Sequence, residues 1–389
     1  MQISAANRKR GDYFFQMLTP PSGAHLDGVS ALLDAALERG AFSAAVALVA
    51  EDGRIVGRHT AGVVRAWDAP GRPATPPGPP VDLDTRFDLA SLTKPIVAAA
   101  LLAELEQHGL DDGLPVAELL GEFREPALRT TSIRHLLTHT AGFVAEWRDR
   151  APDPLMRRFR ARSRPQEPAG AVHRYTCVGY LWAGLAAEAL AGERLDAVVR
   201  RRVLGPLGMR STGFLPAREL LPHIAATEHQ PGRGLVHGEV HDETASALGG
   251  VCGNAGLFGT GPDVLRFAEA VRTGGLLDGA RVLSAAVADR LVTPVELPTD
   301  PGYGQAAGLR LDERWTRAWV GSSAAPGARA RATTAGHTGF TGTAFATEPG
   351  GRRSLVLLTN RVHPARTSTE LLALRADVVR QSWRAKSSG

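Results

Sequence analysis

The stretch FSAAVALVAEDGRIVGRHTAGVV, residues 42–64, limits how this chain can fold more than any other. Apolar runs on either side of Glu51-Asp52-Gly53 predict two strands around a tight turn. Just before it, LDGVSALLDAALER (26–39) has apolar residues at helical spacing and stops at Gly40. At the far end, GLRLDERWTRAWVG (308–321), GTAFATEPG (342–350) and SLVLLTNR (354–361) read as strands, and 366–385 as a helix. Helix and strands at the start, strands and helix at the end, predict one antiparallel sheet built from both chain ends. The fold class expected is α/β (α+β), with the terminal helices covering the sheet and a helical lobe alongside. The expected division is a sheet domain from 1–90 and 240–389 and a mainly helical domain over 91–239. A site would lie in the cleft between them.

The middle of the chain supplies that lobe. A Pro/Gly-rich loop over 66–84 gives way to TRFDLA, a strand candidate that runs directly into a helix ending near His108 and Gly109. SIRHLLTH reads as a short helix closed by TAGF, and YTCVGYLWAGLAAEALAG as a long one starting near Tyr175. GPDVLRFAEAVRTGG and SAAVADRLVTP are further helices, and no internal repeat is present.

At the start of the first of these helices, FDLASLTKP places Ser91 and Lys94 three residues apart, on one helix face. A serine hydroxyl needs a neighbour to take its proton before it is a useful nucleophile. HRYTCVGY places Tyr175 at the end of a loop before a helix, and AGHTGFTGTAF places His337, Thr338 and Gly339 before a strand. In this order the motifs resemble those of the penicillin-binding, class C β-lactamase-like family of serine hydrolases, which spans β-lactamases, D-amino-acid peptidases, small-ester esterases and acyltransferases. IRHLLTHTAGF, VHDETASALGGVCGNAGLFGTGPD and LVLLTNRVHP are similar to segments of its esterase-like members, so the resemblance runs from about residue 26 to the last helix.

The resemblance implies a β-lactamase/transpeptidase-like fold with Ser91 as nucleophile, Lys94 as its base partner and Tyr175 as a second proton-transfer group. Which of Lys94 and Tyr175 takes the serine proton stays open, because such groups titrate together. It further implies an oxyanion hole from the backbone N–H groups of Ser91 and Phe340, and substrate contacts from His337, Thr338, Gly339 and Cys177. Physical reasoning adds expectations. Lys94 in a partly dry cleft would have its ammonium form disfavoured, Ser91 would gain from the helix N-terminus, and Gly339 would let the strand backbone approach a substrate.

Two positions depart from the family pattern. Tyr-x-Asn reads Tyr175-Thr176-Cys177 here, and a thiol is a weak substitute for an amide. His337 stands where β-lactamases often carry lysine, and an imidazole grips a carboxylate less firmly than an ammonium. Both argue for ester cleavage or acyl transfer over β-lactam or D-peptide hydrolysis. The expected function is therefore a serine hydrolase acting on a small ester or activated acyl compound. The alternative is an acyltransferase or a thioesterase of the penicillin-binding type. A β-lactamase, a D-amino-acid peptidase or a ligand-capturing relative without turnover ranks below these. Cys177 is expected to be a buried small residue rather than a reactive thiol.

Composition narrows the partners. The 45 basic and 40 acidic residues are interspersed without a long basic run, which argues against nucleic acid. Cys177 and Cys252 are the only cysteines, too few for a disulfide framework or a cysteine zinc site. His135 and His139 have metal-ligand spacing without an acidic third ligand and are expected to be structural; His241-Asp242-Glu243 either lines the cleft or caps structure. No metal or cofactor is expected. No apolar run reaches eighteen residues, and the first residues show no apolar signal core, so a cytoplasmic location without membrane contact is expected.

Overall fold

Asp52 and Gly53 take φ of 51° and 79°, the left-handed conformations a two-residue turn between twisted strands requires. The turn joins β1 (Ala44–Glu51) to β2 (Arg54–Gly62) in the computed structural model, which describes residues 27–147, 155–316 and 332–384. The N-terminal stretch read for an export signal lies outside the described residues. Four later strands and a two-residue edge complete the sheet: β3 (Gly304–Gln305), β4 (Arg310–Leu311), β5 (Ala335–Thr338), β6 (Ala344–Thr347) and β7 (Arg353–Thr359). The order is β3-β4-β5-β6-β7-β1-β2, and each neighbouring pair is antiparallel. Both chain ends thus meet in the β1–β7 pairing, with Val46 opposite Leu358 and Leu48 opposite Val356.

β1 reads as an unbroken apolar run because both of its faces are covered. Ala45, Ala47 and Val49 pack with Val29, Leu33 and Ala36 of α1 (Asp27–Glu38) and with Leu374, Val378 and Val379 of the C-terminal helix. Ala44, Val46 and Leu48 face the larger core, which holds α2 (Thr93–Gln107). α2 buries residues around its whole circumference, as a helix at the centre of a protein must. Three more helices matter for the site: α3 (Ile133–Leu137), capped by Ser132; α4 (Cys177–Ala191), capped by Thr176; and α5 (Gly261–Arg272), capped by Thr260. The C-terminal helix is α6 (Leu371–Arg384).

Some elements differ from the sequence expectation. Within 308–316 only Arg310–Leu311 is strand; Asp312 turns to φ 50°, and its Oδ1 accepts the N–H groups of Thr333 at 3.0 Å and Thr334 at 2.9 Å. The turn's own hydrogen bonds outcompete strand continuation, and 317–321 lie outside the described residues. The last helix starts at Leu371 rather than 366, because Arg366 is drawn away to pair with Glu228 and Glu243. The 66–84 loop contains a short hairpin, Trp67–Ala69 with Arg72–Pro73.

Candidate active site

The nucleophile turn is built before its helix. Phe87–Asp88 pairs with Leu257–Gly259, and the chain then bends through Ala90, whose φ of 47° is uncommon for a residue with a side chain. Such a conformation costs about 1–2 kcal/mol and persists only where neighbours enforce it. Here they do. Asp88 Oδ1 accepts Ala90 N–H at 2.8 Å, and its Oδ2 accepts His241 N–H at 2.6 Å. Thr341 Oγ1 donates to Asp88 O at 2.8 Å, and Thr343 Oγ1 donates to Leu89 O at 3.0 Å. Burial pushes the Asp88 carboxyl above its ordinary range, against the pull of the His241 and Ala90 N–H groups.

The segment after β5 clasps this turn, which explains Gly339. A Cβ there would stand 2.1 Å from Thr343 Oγ1, 2.7 Å from Leu89 O and 3.3 Å from Ala90 Cβ. The close approach that glycine permits is therefore between the strand and the nucleophile turn; the expectation had placed it between strand and substrate.

Lys94 is fully buried one turn into the site. Its Nζ donates to Ser91 Oγ at 2.9 Å, to Asn254 O at 3.0 Å and to Cys177 Sγ at 3.5 Å, one acceptor for each ammonium proton. Loss of water lowers its pKa, but the Cys177 and Tyr175 side chains outweigh that, and the net direction is upward from the ordinary lysine value. The expectation that the cleft disfavours the ammonium is thus corrected: burial acts as anticipated, and two neighbours from another segment reverse the outcome.

Tyr175 reaches the same place from the loop before α4. Thr176 caps that helix, accepting Val178 N–H at 3.0 Å and Gly179 N–H at 3.3 Å while donating to Val144 O at 2.6 Å. His139 Nδ1 accepts Thr176 N–H at 3.1 Å, and its ring lies 4.6 Å from that of Tyr175. Burial and the charge of Lys94 hold His139 well below the usual histidine value, in the neutral form this acceptor role needs. The Tyr175 ring centroid stands 5.2 Å from Lys94 Nζ and 4.6 Å from Arg310 Cζ. Serine and lysine from one segment and tyrosine from another therefore share one crevice.

Other expected residues are placed differently. His337 is 1% exposed and does not line the cleft; it lies behind Tyr175, ring centroids 6.0 Å apart, with Nδ1 donating to Thr338 O at 2.9 Å. Burial and then the charges of Arg310 and Lys94 hold it well below the ordinary histidine value. Thr338, Gly339 and Phe340 do line the cleft, as does Cys177, which is only half-buried and touches Lys94. Cys177 is thus part of the site wall rather than a core residue. His135 caps α3 through Ser132, and both residues of that pair are structural. His241, Asp242 and Glu243 line the cleft, and Asp242 also caps the short helix Glu243–Ala247. Among the described residues no group of three or more His, Cys, Asp or Glu could hold a metal ion, and no helix is long and apolar enough to cross a membrane.

The cleft measures about 520 Å³, and four guanidiniums line it: Arg310, Arg361, Arg366 and Arg375. Arg366 is committed to Glu228 and Glu243, and Arg361 donates to Phe340 O and Ser368 O. Arg310 pairs with Glu313 at 2.7 Å, yet its Nε has no partner, and neither has Nε of the buried Arg375. Sequence reasoning missed Asp88, Thr341, Thr343, Asn254 and Arg310, and it read His139 as structural without its contact with the Tyr175 ring. The threonines alone carried a local signal, standing beside glycines in TGFTGT.

The chain is similar to known proteins in sequence and in fold. Residues 29–380 match the family described as Beta-lactamase. A protein of Escherichia coli O157:H7 named "Putative D-alanyl-D-alanine carboxypeptidase" is 29% identical over 349 residues, covering 81% of this chain and 78% of its own. The solved structure titled "A class C beta-lactamase" superimposes with a TM-score of 0.73 at 18% identity, covering 95% of this chain and all of that one. "EstCE1, a hydrolase with promiscuous acyltransferase activity" does so at 0.66 and 23%, covering 97% and 100%. With the motifs and the sheet from both chain ends in place, and with the family match running over most of its length, the chain belongs to the β-lactamase family of serine hydrolases.

Proposed function

We propose that the protein cleaves a small ester or activated acyl compound through an acyl-enzyme on Ser91. The observation that carries this reading is Lys94 Nζ, buried and 2.9 Å from Ser91 Oγ beside Tyr175. Ser91 Oγ attacks the acyl carbon, its proton passes to the Lys94–Tyr175 pair, and the pair returns that proton to the leaving group as the acyl–oxygen bond breaks. Water, or an alcohol or amine in a transfer reaction, then enters by the reverse sequence. The serine proton goes to the member of the pair that is deprotonated when substrate binds, the neutral Lys94 amine or the Tyr175 phenolate, and the other member stabilises the charge that develops on the serine oxygen. The N–H groups of Ser91 and Phe340 would hold the oxyanion, each such donor being worth about 3 kcal/mol in the transition state.

A second reading is favoured by the arginines. The loss of lysine at His337 weakens one grip on a carboxylate, but Arg310 and Arg375 both line this cleft, and each holds a buried Nε without a partner. Substrates with a terminal carboxylate, such as the D-amino-acid peptides implied by the E. coli relative's name, are therefore the class to test beside neutral esters.

Ser91→Ala should abolish hydrolysis of p-nitrophenyl esters and covalent labelling by a fluorophosphonate, read by intact mass, with the thermal transition nearly unchanged. Retained turnover in that variant would refute the assignment. Adding an alcohol or amine and measuring the product ratio separates hydrolysis from transfer.

A further inference from the structure

Phe340 stands at the tip of a turn that is tied down on both sides. Gly342 N–H donates to Gly339 O at 3.1 Å, Thr341 Oγ1 donates to Asp88 O at 2.8 Å, and Thr359 Oγ1 donates to Gly342 O at 2.9 Å. The Phe340 N–H itself donates to no group among the described residues. Its ring is 47% exposed, and an exposed side chain hops between rotamers unless neighbours hold it. Three do. The His241 ring stacks on it at 5.6 Å and 30°, and the guanidinium carbons of Arg361 and Arg366 stand 4.8 and 5.4 Å from its centroid.

Two of those three are gathered by one buried carboxylate. Glu228 Oε2 accepts His241 Nε2–H at 2.9 Å, and its two oxygens accept Arg366 Nε–H at 2.8 and 2.7 Å. Its main-chain O accepts Val236 N–H at 2.9 Å, so the carboxylate is anchored from its own segment. Burial acts to raise the Glu228 pKa, but the His241 and Arg366 hydrogen bonds draw it down to about 2, and the charge persists at every working pH. A charge taken out of water is costly, and no step assigned to Ser91, Lys94 or Tyr175 uses this one. We infer that Glu228 is a positioning residue for the oxyanion: by holding His241 and Arg366 against the Phe340 ring, it fixes the tip of the turn so that the free Phe340 N–H is aimed at the acyl oxygen. Ring and N–H share one α-carbon, so a locked ring leaves the main chain there little room to turn. The inference rests on the acyl-enzyme reading, because the oxyanion forms only when Ser91 attacks.

The test is fluorophosphonate labelling of the full chain, in which the phosphoryl oxygen takes the place of the acyl oxygen. Labelling is followed by intact mass at several probe concentrations, with Ser91→Ala as blank and thermal melting in parallel. Glu228→Gln keeps the shape and removes the charge. It should lower the maximal labelling rate about tenfold, while the probe concentration at half-maximal rate stays within about twofold. Phe340→Leu removes the ring being held, and in that background Glu228→Gln should add less than about twofold. Equal fold losses in both backgrounds would overturn the inference, as would a Glu228→Gln protein that melts lower yet labels at the wild-type rate. If Glu228→Gln fails to fold, Arg366→Gln, at an exposed position, is read in the same two backgrounds, and equal losses overturn the inference there too. Wild-type protein that resists the probe overturns the Ser91 assignment and this inference with it, a result distinct from a reactive wild type with equal losses.

Discussion

Gly339→Ala tests how the sheet holds the nucleophile. The added methyl would sit 2.1 Å from Thr343 Oγ1 and 2.7 Å from Leu89 O, where ordinary contact begins at 3.4 Å. Thr343 can rotate away, but only by giving up its 3.0 Å hydrogen bond to Leu89 O. Leu89 O belongs to the main chain, two residues from Ser91, and must retreat by 3.4 − 2.7 = 0.7 Å. Overpacking of this kind costs about 1–3 kcal/mol, or a melting temperature lower by roughly 1–4 °C in a chain of this size. Misplacing reacting groups by about 1 Å can cost about a hundredfold, so labelling of Ser91 by a fluorophosphonate should fall about tenfold or more. Gly339→Ala/Thr343→Ala removes the first clash and leaves the second, so it should recover part of the melting temperature and little of the rate. Near-wild-type labelling and melting in Gly339→Ala would show that the strand does not buttress the nucleophile turn.

Two further outcomes follow from buried charge. His363 Nε2 accepts the N–H groups of Ala66 at 3.2 Å and Trp67 at 3.1 Å, and Nδ1 donates to Thr227 O at 2.7 Å, an arrangement only neutral imidazole can make. Burial lowers its pKa from 6.5 to about 4, so the unfolded chain binds the proton more readily between those values. Stability is then complete above pH 6.5 and falls as pH drops toward 4, by about 3 kcal/mol. Urea unfolding of wild type and His363→Gln should show a smaller acid loss in the variant; parallel curves would refute the assignment. Arg310→Gln should raise KM severalfold for substrates with a terminal carboxylate and far less for neutral esters. An equal effect on both would mean that Arg310 acts through the Tyr175 ring, 4.6 Å from its guanidinium carbon, instead of on substrate.

Local chemistry was legible in the chain. The Asp52-Gly53 turn and the three-residue step from Ser91 to Lys94 each depend on neighbours within a few positions. Strand ends were less so, since Asp312 ends β4 through bonds to Thr333 and Thr334, 21 and 22 residues away. His337 was misplaced for a related reason. Strand alternation says which residues share a face, and only packing says which face the cleft opens on.

The order of residues along the chain is enough to put a hydroxyl and an amine on one helix face and strands at both chain ends. What surrounds that amine is set by packing between segments far apart in the chain. The Lys94 pKa is lowered by burial and raised by the Cys177 and Tyr175 side chains, which lie 83 and 81 residues distant. Electrostatic energies in a dry interior fall off with distance in space, not along the chain, so the reactivity of Ser91 is a property of the fold.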